Sequence, residues 1–272
     1  MSGPEPELSP QHRQELARAH KLLESANIAT RLSDYAGKPI HGVLQQMPKP
    51  LRRAVDRAAE RAIQECLTVA LKSLKSAPKK RPSMRLASAL AGVAGGFGGL
   101  LGAASLPVEL PVTTILMLRA IAAIARRNGE NLSTIEGRLA CVEVFAYGSG
   151  GSANGSSRRA DVGYYASRAM LGRLANEASA LLLERGAARL AAPAVAALTG
   201  EVASRFGVVV WEKVVASAIP LAGAAGAATI NVVFMNHFQS IARGHFMLRR
   251  LERIYGEEAI RSHYRLLEKA ED

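Results

Sequence analysis

The sequence predicts an all-α, multi-helix bundle that contains two Gly/Ala-rich apolar helical segments. Three observations carry this. Apolar residues recur at three- and four-residue steps over long stretches. Two long uncharged runs are rich in Gly and Ala, one of them with glycines at four-residue spacing. Nearly half of the 272 residues are apolar but only 5% are aromatic, so a core must be built from small side chains that let helices approach closely. A chain of this length can bury a substantial core. One domain is expected over residues 11–272, after a disordered N-terminal arm at 1–10 that holds three prolines and two glutamates before any apolar period begins.

Leu51, Val55, Ala59, Ala62, Ile63, Cys66, Leu67, Ala70, Leu71 and Leu74 fall on one face of a helix, with Arg52, Arg53, Arg57 and Arg61 outside. Pro48 and Pro50 mark its start. Residues 72–85 then form a basic connector: Lys72, Lys75, Lys79, Lys80, Arg81 and Arg85 carry six positive charges with no acid, and Pro78 and Pro82 prevent one helix from running through. Leu86 to Val108 is the first apolar segment, 23 residues without a charge, and its glycine spacings (Gly92/Gly96, Gly95/Gly99, Gly98/Gly102) are those of close helix contact. Pro107 and Pro111 break it, with Pro111 expected in the first turn of a helix that runs to Arg127.

Asn128-Gly129 signals a turn. Ser133-Thr134-Ile135-Glu136 reads as a capping box for a helix ending at Tyr147. Residues 148–157 form a flexible Gly/Ser loop, and helical patterning resumes over Asp161 to Arg189 and Ala194 to Phe206. The second apolar segment, Val214 to Phe234, is long enough to cross a bilayer as a straight helix of about 30 Å. Its Ala, Gly, Thr229 and Asn231 supply little apolar area, so burial in a bundle or shallow insertion is favoured over spanning. The last pattern, Phe234, Phe238, Ile241, His245, Leu248, Leu251 and Tyr255, is a helical stripe with Arg243, Arg249, Arg250 and Arg253 beside it.

The formal charge of +12 favours anionic partners. No nucleic-acid module or aromatic interleaving accompanies it, so an anionic membrane surface is the expected partner and nucleic acid is not. Cys66 and Cys141 lack CxxC spacing and suit reduced thiols. The first thirty residues contain no n-region and h-region of a secretory signal, which points to a cytoplasmic protein. No metal or cofactor is expected: HExxH and GK[ST] are missing, and His237 and His245 are rotated by roughly 80° from each other on a helix. Gly148 to Ala153 matches G-x-G-x-x-A formally but follows a helix, and Gly150 to Asn154 lacks the second glycine of a nucleophile elbow.

Glu109, Arg119, Glu143, Asn236, His237 and His245 are polar groups embedded in apolar stretches. Unpaired burial would be costly, so they are expected to satisfy one another or to line a wet pocket. Such a pocket is the candidate catalytic site, with a carboxylate and a histidine performing acid/base work. Lys72, Lys75, Lys79, Lys80, Arg81, Arg85, Arg249, Arg250 and Arg253 are the candidate contacts to lipid or a partner.

Three stretches carry a family resemblance: Leu106-Pro107-Val108-Glu109-Leu110-Pro111-Val112-Thr113-Thr114 into Leu118-Arg119; Arg138-Leu139-Ala140-Cys141-Val142-Glu143-Val144-Phe145; and Asn236-His237-Phe238-Gln239 through Arg243-Gly244-His245-Phe246 to Arg249-Arg250-Leu251-Glu252. Over roughly Arg85 to Gly256, with the preceding helices included, the sequence resembles the EcsC family. That resemblance implies a link to an ABC exporter or the cell envelope and brings no established activity or catalytic residues. The expectation is a cytoplasmic protein peripheral to the inner face of the membrane; the alternative is a hydrolase or lipid-modifying enzyme using the buried carboxylate/histidine pocket.

Overall fold

A computed structural model of the chain describes residues 7–24, 32, 48–73, 106–148, 164–185, 192–218 and 223–271. Among the described residues the regular structure is helical throughout: α1 (Pro10–Glu24), α2 (Lys49–Ser73), α3 (Leu106–Arg127), α4 (Ile135–Tyr147), α5 (Tyr164–Arg185), α6 (Pro193–Ala218), α7 (Gly223–Tyr255) and α8 (Glu257–Glu271). Most of the basic connector, the first apolar segment as far as Ser105 and all but the first residue of the Gly/Ser loop lie outside the described residues, as do residues 1–6.

Helix α1 begins inside the stretch expected to be a disordered arm. Ser9 caps it, its hydroxyl accepting from the His12 amide at 3.2 Å, Pro10 occupies the first turn, and Leu8 is buried. The helix lies along α7. Gly244 permits that contact, because a Cβ there would sit 2.7 Å from Leu23 Cγ and 3.1 Å from the Ala19 carbonyl oxygen. In α2 the expected apolar face is buried from Val55 to Leu71, and Arg52, Arg53, Arg57 and Arg61 are exposed. This helix packs against α3 and α6.

Helix α3 starts at Leu106, five residues earlier than Pro111 suggested, and carries Pro111 inside. The proline lacks an N–H, so the carbonyl four residues earlier has no helical donor at that step, and the helix absorbs the defect near its N-terminus. Its C-terminus is a Schellman motif. Gly129 takes φ +75°, and the Glu130 amide bonds the Ala125 carbonyl at 3.0 Å. The expected capping box is displaced by one residue: Thr134 is the N-cap, accepting from the Gly137 amide at 3.1 Å, while the Glu136 carboxylate accepts from Ser179 on α5.

Helix α4 is the centre of the bundle, buried from Gly137 to Tyr147 and touching α2, α3, α5, α6 and α7. Phe145 meets Phe206 of α6 and Phe238 of α7 with ring centroids 5.2 and 5.3 Å apart, so the few aromatics are concentrated here. Arg138, also on α4, donates to the Leu71 carbonyl at 2.6 Å and to the Thr134 carbonyl at 2.9 Å, capping the last turn of α2 from a distant part of the chain.

The described residues of the second apolar segment fall in two elements, the end of α6 as far as Ala218 and α7 from Gly223, and Pro220 lies outside the described residues. Among the described residues, one helix is long and apolar enough to cross a membrane, Pro193–Ser217. It packs on α2, α4, α5 and α7 and buries Glu212 and Lys213, which places it as a bundle helix. Gly256 at φ +90° ends α7 and turns the chain into α8, an element that the sequence pattern had not separated.

Candidate functional site

A cleft of 330 Å³ lies among α4, α5, α7 and α8. Helix α4 contributes Glu136 and Glu143, α5 contributes Tyr165, Arg168 and Arg173, α7 contributes Arg249, and α8 contributes Glu257 and Arg261. Glu143 and Tyr165 are buried, whereas Arg173 and Glu257 are exposed, which puts the latter pair at the mouth.

Two arginine forks build the walls. Arg168 holds Glu252 of α7 through two bonds of 2.5 and 2.7 Å, and the Tyr165 hydroxyl donates to the same carboxylate at 3.0 Å. Arg249 holds Glu130 through bonds of 2.9 and 2.7 Å, and Arg253 adds a third at 2.9 Å. Such planar bidentate pairs fix geometry as well as charge. Burial works against the Arg168 guanidinium, but Tyr164 and Glu252 outweigh it and keep it charged. Burial also acts to raise the Glu130 carboxyl, and the bonds and charges of Arg249 and Arg253 overcome this and lower it.

Glu143 sits behind these forks. Burial pushes its carboxyl above the ordinary range, against the hydroxyl of Tyr147 at 2.9 Å and the charges of Arg249 and Arg168. Tyr147 bonds Oε2, and among the described residues nothing bonds Oε1. The Tyr147 ring lies 5.0 Å from the His245 ring, and Tyr164 shares a 2.7 Å hydrogen bond with His245 Nδ1. Burial holds His245 neutral, assisted by Arg249 and Arg168, and its Nε2 is buried without a hydrogen-bond partner among the described residues.

Of the six polar residues read from the sequence as one pocket, the structure brings Glu143 and His245 into a single tyrosine-linked cluster. It does not bring the others there. Glu109 accepts from Lys213 Nζ at 3.0 Å and from Asn231 at 3.3 Å, where α3, α6 and α7 meet. His237 Nε2 bonds the Gly148 carbonyl at 2.8 Å. Arg119 and Asn236 are exposed. Among the candidate lipid contacts, Lys72 is exposed at the end of α2, and Lys75, Lys79, Lys80, Arg81 and Arg85 lie outside the described residues. Arg249, Arg250 and Arg253 are turned to carboxylates of the same chain: Arg250 pairs with Glu15 of α1, and the other two with Glu130.

The sequence reading missed Tyr165, Arg168, Arg173 and Arg261, which line the cleft, and Glu252, which holds Arg168 and Tyr165 in place. The available signal was the adjacent pair Tyr164-Tyr165 opening a helix of mostly small and polar residues, followed by Arg168 one turn later.

Fold and site together define a class: an all-α bundle with a mixed-charge cleft walled by arginine–carboxylate forks. The chain belongs to the EcsC protein family, whose model matches residues 10–251. That match includes α1 and α2, the preceding helices that the resemblance took in. No curated protein and no solved structure matches the chain.

Proposed function

We propose that this EcsC-family protein binds a phosphate-bearing headgroup in the cleft between α4, α5, α7 and α8, and that it works at the cytoplasmic face of a membrane. The observation that carries the reading is that Arg173 and Arg261, which have no ion pair among the described residues, line one cleft of headgroup size beside the carboxylate-held Arg168 and Arg249. Arginine forks suit phosphate oxygens because several donors lie in one plane. Arg261 Nε is buried and bonded to no described group, so a donor is already desolvated and waiting for an acceptor. The net charge of +12 brings the protein to an anionic surface, and buried thiols at Cys66 and Cys141 suit a reducing compartment.

The test is flotation of the full chain with phosphatidylcholine vesicles, with and without phosphatidylglycerol or phosphatidylethanolamine, at low and high salt. Binding that survives high salt and is lost in Arg173→Ala/Arg261→Ala supports a cleft site. Salt-sensitive binding unchanged by that variant assigns attraction to the surface charge, and no flotation in any mixture defeats the proposal.

A second reading is an enzyme acting on the same ligand, favoured by Glu143, a carboxyl held toward its neutral form at the cleft wall with Oε1 bonded to none of the described residues. The acid/base group is then Glu143 with Tyr147 beside it, and His237, bonded to the Gly148 carbonyl, takes no part. Release of a water-soluble headgroup from vesicles by the wild type and not by Glu143→Gln separates this reading from binding alone.

A further inference from the structure

The charges lining the cleft do not add up to a simple anion site. Two of the four arginines are already neutralised, Arg168 by Glu252 and Arg249 by Glu130. Arg173 and Arg261 remain, and among the described residues neither has an ion pair. Two carboxylates share the cleft with them. Glu136 is kept ionised, first by its own backbone amide and then by the Ser179 hydroxyl, and Glu257 stands in the first turn of α8 with no cationic partner among the described residues. Two arginines and two carboxylates therefore line one cavity without pairing with one another. A ligand carrying only negative charge would satisfy the first pair and be repelled by the second.

We infer that the cleft recognises a phosphodiester that also carries a primary ammonium, the chemistry of an ethanolamine headgroup, with Arg173 and Arg261 taking the phosphate and Glu136 and Glu257 taking the ammonium. This rests on the phosphate-binding reading above and specifies its ligand. The choice of a primary over a quaternary ammonium follows from the aromatic groups. Quaternary ammonium is held by open aromatic faces, and the cleft's Tyr165 ring is already occupied, with the Arg168 and Arg261 guanidiniums 5.9 and 5.8 Å from its centroid. Carboxylates instead offer hydrogen-bond acceptors, which an NH₃⁺ group can use and a trimethylammonium cannot. The alcohol-terminated phosphodiester of a glycerol headgroup leaves both carboxylates without a counter-charge.

The experiment is calorimetric titration of the full chain with glycerophosphoethanolamine, glycerophosphocholine and glycerophosphoglycerol. The expected result is binding of the ethanolamine ester at least about tenfold tighter than the other two. Glu257→Gln, at the exposed mouth of the cleft, should reduce that preference several-fold, both by weakening the ethanolamine ester and by relieving the repulsion that glycerophosphoglycerol meets. Equal or tighter binding of glycerophosphoglycerol overturns the inference while the phosphate-binding reading stands. If none of the three binds, vesicles decide. Flotation with phosphatidylethanolamine in preference to phosphatidylglycerol supports the inference with the intact lipid as the source, whereas no flotation with either removes both this inference and the reading beneath it.

Discussion

Glu212 offers the most direct test of the electrostatics of this bundle. It lies on α6, is 3% exposed, and among the described residues has no hydrogen bond or ion pair. Burial alone pushes its carboxyl up to about 8. The sign follows from linkage: a carboxyl that is harder to ionise in the folded state costs nothing while both states are protonated. It costs progressively more as pH rises from the unfolded value to the folded one. At 1.36 kcal/mol per pH unit, this window gives a penalty of about 3 kcal/mol at pH 7 and below about 1 kcal/mol at pH 5. Glu212→Gln removes the ionisation and keeps the shape, though the buried amide has its own desolvation cost of about 1–3 kcal/mol. That cost does not depend on pH, so the informative quantity is the change in the variant's relative stability between the two conditions. Urea denaturation at each pH should show the variant gaining about 2–3 kcal/mol on the wild type from about pH 5 to about pH 7. A difference that is flat across this range would mean that Glu212 is ionised in the native state and compensated, and the desolvation argument would be wrong.

Four further outcomes follow from the packing. Arg138→Ala removes the bond to the Leu71 carbonyl that ties α4 to the end of α2 and the bond to the Thr134 carbonyl at the N-cap of α4, and denaturation should show a loss of about 2–3 kcal/mol. Gly137→Ala places a Cβ 2.2 Å from the Asn131 carbonyl oxygen and should lower stability by about 1–3 kcal/mol, whereas Gly200→Ala on α6, with nothing within 4 Å, should raise it by about 0.5–1 kcal/mol; thermal melts of the pair compare the two. Glu130→Gln leaves Arg249 without its fork and should cost about 2–3 kcal/mol, discounted for the partial exposure of Arg249. Because the Glu130 carboxyl is lowered in the fold, its contribution is present above the unfolded value and fades as pH falls through the folded one, so the wild type and Glu130→Gln should converge in stability on acidification. Cys66 and Cys141 are fully buried with thiols pushed up by desolvation, so a thiol reagent should label neither in the native protein and both in denaturant; rapid native labelling would contradict the packing of α2 and α4.

The all-α class, the course of α2 and the C-terminal half of α7 were legible in the sequence, because a period near 3.6 is a local property and each of these stretches buries a face wide enough to show it, whereas α4, buried on every side, was marked by the capping signal at its start. Turn chemistry was legible for the same reason: Asn128-Gly129 and the Thr134 region mark the ends of α3 and α4, with an error of one residue in which hydroxyl does the capping. The burial of Glu143, His237 and His245 in apolar stretches was also visible, but Arg119 and Asn236, read in the same way, are exposed because their helix faces are left uncovered by the described residues. Which of these polar groups meet was not visible, since Glu109 finds Lys213 and Asn231 across more than a hundred residues of chain, and Glu143 and His245 are joined through Tyr147 of α4 and Tyr164 of α5. The cationic stripe of α7 shows the limit most clearly. By sequence, Arg249, Arg250 and Arg253 lie on a basic face beside an apolar one. In three dimensions they meet Glu130 and Glu15, because the loop after α3 and the face of α1 come to rest against that side. Side-chain periodicity determines that a helix forms and which face it buries; only the docking of other helices decides whether a charge on its edge faces solvent, a ligand or a carboxylate of the same chain.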